Sequence, residues 1–371
     1  MKSLSELRSE LAARCGRIGR PVRMMEVCGT HTVAVFRSGL RALFPANLRL
    51  ISGPGCPVCV TAQGQIDAAV ALVARPDVTV ATYGDMLRVP GRSGSLEERR
   101  GAGGRIRVVT SAWRALELAQ GAPGTTVVFL GVGFETTAPA TAAVVLEAAR
   151  QGVENFCVLS FHKRVVPAMV ALLEAGAVAI DGFLCPGHVS VIVGAEAYRP
   201  VVARFARPCV VAGFEPREIV AALVRLVRQV ERGEARLENG YPAVVSASGN
   251  GVALGLLARV FEPVSTAWRG LGSIDQSGLA LRAEFARFDA LRRFGLAPGD
   301  DVDPPGCRCG EVICGQCEPP ECALFGEACT PARPIGPCMV SGEGTCAAWY
   351  RFGGVTPRRS NAEVRRCPAT A

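Results

Sequence analysis

From residue 22 to residue 233 the chain alternates short apolar runs with longer helical patterns, and that alternation leaves few folds open. The runs VRMME (22–26), LRLIS (48–52), VTVAT (78–82), IRVVT (106–110), TVVFLGV (126–132), FCVLS (156–160), VAIDGFL (178–184) and PCVVAGF (208–214) read as buried strands. They are rich in β-branched residues and too short for helices. Between them, 61–74, 111–120, 138–151, 165–176 and 215–233 carry helical periodicity, and Leu4, Leu7 and Leu11 give residues 1–20 a short amphipathic helix. Strand alternating with helix predicts an α/β fold whose sheets are mainly parallel and covered on both faces. The number of strands suggests two lobes, which we divide at GAPG (121–124) into 1–121 and 122–297.

Near residue 295 the composition changes. PGDDVDPPG (298–306) reads as a linker, and beyond it the chain is rich in Cys, Pro and Gly with little periodicity. Such a segment cannot build an ordinary apolar core and needs a staple, so 298–371 is expected to be a small domain held by a metal or cluster. Eight of the sixteen cysteines fall between Cys307 and Cys346. The N-terminus alternates charge without the apolar stretch of a signal peptide. The longest uncharged stretch, 239–258, contains Pro, Asn, Ser and Gly and reads as strand, loop and helix start, not as a membrane span. Cys367 stands one place off a prenylation signal. The expected compartment is the cytoplasm, where many cysteines point to metal or redox chemistry before structural disulfides. The net charge is +8, but only Lys2 and Lys163 are lysines, and the arginines are dispersed with no basic block. A solvated Arg-rich surface explains this better than nucleic-acid binding.

Several loops carry chemistry. EVCGTHT (26–32) follows a strand and opens a helix, which puts Cys28 at a helix N-terminus, where the dipole favours thiolate. His31 could act there as ligand or base; the plainer alternative for Cys28 is a buried apolar thiol. GPGCPVCVT (53–61) again joins a strand end to a helix, and Cys56 and Cys59 suit either a redox dithiol or half of a metal site. Ligands in open α/β sheets bind beyond the carboxyl ends of strands. Asp85, Glu135, His162 and His188 lie in loops of that kind, and with His31 these account for all three histidines. Their possible roles are support for a metal site, partner docking or loop structure. GVGFE (131–135) lacks a complete phosphate-loop pattern and a Walker lysine, so no nucleotide site is read here. Cys15, Cys157 and Cys209 read as buried structural thiols.

In the cysteine-rich segment, Cys322, Cys329, Cys338 and Cys346 are spaced by 7, 9 and 8 residues, with Cys307, Cys309, Cys314 and Cys317 upstream. Four thiolates on Pro/Gly-rich loops are what a [4Fe–4S] cluster needs. Zinc is usually announced by paired short spacings, so the wide spacing favours the cluster over zinc or disulfides. Cys307, Cys309 and Cys317 would then be redox-active thiols near it. Spacing alone does not divide eight cysteines into ligands and bystanders.

Taken together, EVCGTHT, GPGCPVC, TYGDMLRVP (82–90), GVGFETTAP (131–139), SFHK (160–163), CPGH (185–188) and CMVSGEGTC (338–346) resemble, over nearly the whole length, the HypD family of hydrogenase formation proteins. The resemblance implies two Rossmann-like lobes facing a cleft and a C-terminal domain with a [4Fe–4S] cluster. It implies a scaffold on which the Fe(CN)2CO unit of the [NiFe]-hydrogenase active site is assembled with the small chaperone HypC. Cyanide would come from HypE and HypF, and the hydrogenase large subunit would be served indirectly. Carried over by motif, Cys28 would ligate the transient iron with its cyanide and carbon monoxide ligands, sharing it with a cysteine of HypC. Cys56 and Cys59 would form the nearby dithiol, and Cys322, Cys329, Cys338 and Cys346 would hold the cluster. The departure is Cys314, where a non-thiol is expected. It leaves the pairing of the upstream thiols open. The competing readings are an iron–sulfur disulfide reductase acting on a partner protein and a zinc-stapled interaction protein.

Overall fold

The computed structural model describes residues 2–299 and 301–354; Cys367 lies outside the described residues. Among the described residues eleven strands form: β1 (Val22–Glu26), β2 (Leu48–Ser52), β3 (Val78–Thr82), β4 (Ile106–Val108), β5 (Thr126–Gly133), β6 (Phe156–His162), β7 (Gly182–Pro186), β8 (Cys209–Ala212), β9 (Leu237–Asn239), β10 (Phe261–Trp268) and β11 (Gly272–Leu281). They make a five-stranded sheet in the order β2-β1-β7-β8-β9, a four-stranded sheet in the order β4-β3-β5-β6, and a β10–β11 ribbon. Both larger sheets are wholly parallel, and the β10–β11 ribbon is antiparallel. The central parallel strands run almost entirely buried because helices cover them, as in β5, where every residue after Thr126 is buried.

The expected division near residue 121 is corrected by this topology. Strands β1 and β2 share their sheet with β7, β8 and β9, and a cut at 121 would separate β3 and β4 from β5 and β6. The chain starts one sheet, leaves it to build the other, and returns beside β1 at β7. Two smaller expectations also change. The run at 178–184 enters the sheet only at Gly182, because the Asp181 carboxylate accepts the Arg23 backbone N–H at 2.8 Å and ends the loop there. The 298–306 segment is no free linker. Asp301 accepts the backbone N–H groups of Gln63 (2.7 Å) and Gly270 (3.1 Å), and Asp303 accepts that of Gly310 (3.1 Å). Gly299 lies so close to Gly64 that a Cβ on Gly64 would stand 1.9 Å from its carbonyl oxygen. Among the described residues no helix is long and apolar enough to cross a membrane.

Candidate metal and thiol site

Cys28 leaves β1 in extended backbone (φ −152°, ψ 121°) and precedes the helix Gly29–Arg37. Three chain segments converge on it. Below lies Glu26, whose buried carboxylate accepts the Cys28 backbone N–H at 2.9 Å and the Thr32 hydroxyl. Beside it runs the GPGC loop: Gly29 N–H donates to Gly55 O at 3.0 Å, and a Cβ on Gly55 would fall 2.1 Å from the Cys28 nitrogen. Glycine is therefore required at 55 for this close approach. That loop delivers Cys56 and Cys59, which are joined as a disulfide at the start of the helix Pro57–Val60. On the third side the loop between Cys338 and Cys346 folds over. Glu343 packs against Gly29 and accepts the Thr30 hydroxyl at 2.7 Å, and Asp85 accepts the Ser341 hydroxyl at 3.2 Å and the Gly342 N–H at 3.4 Å. A cavity of about 270 Å³ opens among Pro57, Tyr83, Asp85, Phe134, Ser341 and Glu343. Carboxyl ends of strands from both parallel sheets thus meet the cysteine-rich segment at one place.

At Cys28, burial works against the thiolate that a helix start favours. Its side chain is buried, and burial, with Glu343 and Glu26 adding negative charge nearby, pushes the thiol up to about 12 despite the backbone N–H of His31. Desolvation outweighs the helix terminus here. Burial likewise raises Glu26 to about 7, against the lowering effect of its bonds to Thr32, Cys28 and Ser52.

His31 is fully buried. Its Nε2–H donates to Gly213 O at 2.9 Å, while Nδ1 has no hydrogen-bond partner among the described residues. Burial holds the imidazole neutral by lowering its pKa to about 4. His188 stacks on Phe214 at 3.9 Å between ring centroids, and His31 meets the same ring at 4.6 Å, so two of the three histidines gather behind Cys28's helix. Glu135 and His162 are placed elsewhere. The Glu135 carboxylate accepts the Val165 N–H (3.1 Å) at the start of the helix Val165–Ala175, and burial raises it to about 7. His162 lies in the interior beside Ser160 Oγ (3.1 Å) and Thr141 Oγ1 (3.4 Å), with burial lowering its pKa to about 3.

Six cysteines, Cys307, Cys309, Cys322, Cys329, Cys338 and Cys346, line a single small cavity whose other walls include Val312, Leu324, Phe325 and Met339. Cys309 is in side-chain contact with Cys307 and Cys338, and Cys338 with Cys346. Two sulfurs already accept backbone N–H groups, Cys338 from Cys346 (3.1 Å) and Cys329 from Ile335 (3.3 Å). The thiols are spread around the cavity: among the described residues no three His, Cys, Asp or Glu side chains stand in the tight grouping of a single metal ion. The helix Cys309–Ile313 packs on Pro57–Val60, so Cys309 links the thiol cavity to the disulfide's helix. Cys317 faces away, into a groove lined by Arg23, Arg41 and Arg49, and Cys314 donates to Gly270 O at 3.3 Å. Cys15, Cys157 and Cys209 are fully buried, as expected. Sequence reasoning did not single out Glu26 or Glu343. Both sit inside quoted motifs, but only folding brings them together.

Comparison with known proteins follows the same outline. The family model HypD, described as "Hydrogenase formation hypA family", matches residues 2–353. A hydrogenase maturation factor HypD of Azotobacter vinelandii is 46% identical over 369 residues, covering 95% of this chain and 97% of the relative. That of Escherichia coli (strain K12) is 44% identical, with 95% of each chain covered. That of Rhizobium leguminosarum bv. viciae is 42% identical, with 100% of each covered.

Proposed function

The chain belongs to the HypD family, and on that premise we propose that it is a hydrogenase maturation factor holding, at Cys28, the iron of the [NiFe]-hydrogenase active site while cyanide and carbon monoxide are attached. The observation that carries this is the convergence on Cys28 of the loop bearing the Cys56–Cys59 disulfide and of the Ser341–Glu343 loop that Asp85 holds, beside a cavity lined by Pro57, Asp85, Ser341 and Glu343. A soft thiolate suits low-valent iron, and the buried Cys28 thiol gives up its proton when metal binds. Glu26 and the Gly55 carbonyl hold the backbone around Cys28. HypC supplies a second cysteine ligand and HypE, charged by HypF, the cyanide; all of this takes place in the cytoplasm.

Cys322, Cys329, Cys338 and Cys346 are the four thiols that would hold a [4Fe–4S] cluster. Six sulfurs around one cavity, two of them accepting backbone N–H groups, fit that donor set. When bound, such a cluster supplies single electrons. Cys307 and Cys309 stand beside it as spare thiols, and Cys56 and Cys59 take up or give back a pair of electrons as their disulfide opens or closes.

The test is infrared spectroscopy of the protein co-purified without oxygen from cells making the other maturation proteins. Cyanide and carbonyl bands are expected in the wild type and not in Cys28→Ala. Equal bands in both would move the iron away from Cys28. A second reading, an iron–sulfur disulfide reductase for a partner protein, is favoured by the closed Cys56–Cys59 pair. It requires reduction of a generic disulfide, given an electron donor, with no hydrogenase partner present.

A further inference from the structure

We propose that Arg269 is a positioning residue for the thiol cavity, a buried guanidinium that with Asp303 sets how readily the cluster held there accepts an electron. The inference rests on the cluster reading above. Arg269 has no exposed surface. It follows the last residue of β10, Trp268, between the two thiol-bearing helices. Its backbone N–H donates to Val60 O at 3.0 Å, at the last residue of the disulfide's helix. Its neighbour Gly270 (φ +73°) lies against Gly310, next to Cys309, so closely that a Cβ on Gly270 would be 2.5 Å from the Gly310 Cα. Arg269 is thus wedged between the Cys56–Cys59 helix and the wall of the cavity that Cys309 forms.

Its charge is balanced by few groups. Nη1 lies 2.8 Å from Asp303 Oδ1 and 3.9 Å from Asp301 Oδ1, and Nη2 donates to Gln63 Oε1 at 3.4 Å. Nε has no partner among the described residues. The other Asp303 oxygen accepts the Gly310 N–H, so the carboxylate is fixed beside the residue that follows Cys309. Burial works against the guanidinium's charge, and Cys309, Asp303 and Asp301 more than offset it. A buried cation left with an unused donor is costly unless something anionic stands nearby. A thiolate-ligated cluster is such an anion.

The sign of the effect follows from the couple. Reduction adds one electron to the cluster, taking it from the 2+ to the 1+ core, with no bond broken and no proton moved. The added negative charge is stabilised by a nearby cation and opposed by a nearby carboxylate; the fully buried Arg269 is poorly screened, and the partly exposed Asp303 is screened more. Removing Arg269's charge makes reduction harder; removing Asp303's makes it easier.

The experiment uses the full chain purified without oxygen. Iron and sulfide are measured per chain, and then the cluster is titrated with dithionite and mediators while its reduced form is followed by electron paramagnetic resonance. For Arg269→Gln we expect the reduced-to-oxidised ratio at the wild-type midpoint to fall tenfold or more, about 59 mV to the negative for a one-electron couple. Asp303→Asn should move the ratio in the opposite direction, and Arg269→Lys should stay within threefold of wild type. If Arg269→Gln does not load a cluster, Asp303→Asn decides alone. The proposal is overturned if both variants leave the ratio unchanged or move it the same way. It is also overturned if both lose the cluster while Arg269→Lys keeps it, which would make the group a structural clasp only. Wild-type protein without iron and sulfide would remove the cluster reading itself, a failure seen before any titration begins.

Discussion

Lys163 is buried to 1% exposure, and its Nζ donates to Gln65 Oε1 at 3.1 Å and to Ala267 O at 2.6 Å. Burial lowers its pKa to about 7, with Asp301 pulling upward and Arg269 downward. An unfolded chain would hold this proton to about pH 10.4. Between those limits the unfolded state binds a proton that the folded state lacks, so stability rises with pH. Below pH 7 both states are protonated and the full cost of the buried charge remains. Relative to Lys163→Met, the wild type should therefore gain on the order of a few kcal/mol from pH 7 to 10. Urea midpoints at pH 6.5, 8 and 9.5 measure it, and a constant difference would mean that Lys163 keeps its proton in the fold. Cys28 shows what a sequence conveys at this scale and what it leaves out. Its position at a strand end before a helix was legible from EVCGTHT alone. Its protonation state was not, because the burial and the Glu343 carboxylate that raise it come from the far end of the chain.

Most elements in the parallel sheets were readable because their strands are apolar along most of their length and are followed by helices with their own period, whereas β9, with one apolar residue in three, was missed. The β10–β11 ribbon was missed. Its burial alternates irregularly, a register shift interrupts it between Val264 and Thr266, and Pro263 argues against a strand on sequence grounds. The 298–306 segment misled for the opposite reason: Pro, Gly and Asp suit a linker, but the same aspartates can serve as acceptors at helix starts. Asp301 does so at Gln63, the first residue of the helix Gln63–Leu72, and also binds Gly270 N–H. Asp301→Ala leaves both donors without their acceptor and takes one carboxylate from buried Arg269. Charge-assisted hydrogen bonds contribute about 1.5–3 kcal/mol each, so the loss should be about 3 kcal/mol or more. The expected result is an earlier urea transition together with new proteolytic cleavage near residues 295–306. A variant within about 0.5 kcal/mol of wild type would show that the segment is held by its packing on Gly64 instead.

At the scale of the molecule, the sites near Cys28 and in the thiol cavity share one loop. Cys338 and Cys346 line the cavity, and the residues between them reach Asp85, Gly29 and Thr30. The helix Thr345–Phe352, which carries Cys346, packs on the helix Gly29–Arg37, with Trp349 and Phe36 rings 5.2 Å apart and Arg41 4.3 Å above Trp349. No spacing in the sequence foretells this, because Cys28 is near the start of the chain and its covering loop near the end, and periodicity says nothing about which loops meet. If Cys338 and Cys346 hold one cluster, as proposed above, both ends of the loop are fixed and, through it, the roof over Cys28. Stripping iron and sulfide with an oxidant and chelator should then free that roof while leaving the parallel sheets intact. Amide hydrogen exchange should quicken at 338–352 and at 29–37, and remain unchanged in β5 and β6, whose backbones pair along their full register. Faster exchange everywhere would mean that the cluster supports the whole fold. Faster exchange at 338–352 with none at 29–37 would mean that the two sites are mechanically independent, and that the loop over Cys28 is held by Asp85 and Thr30 without help from the thiols.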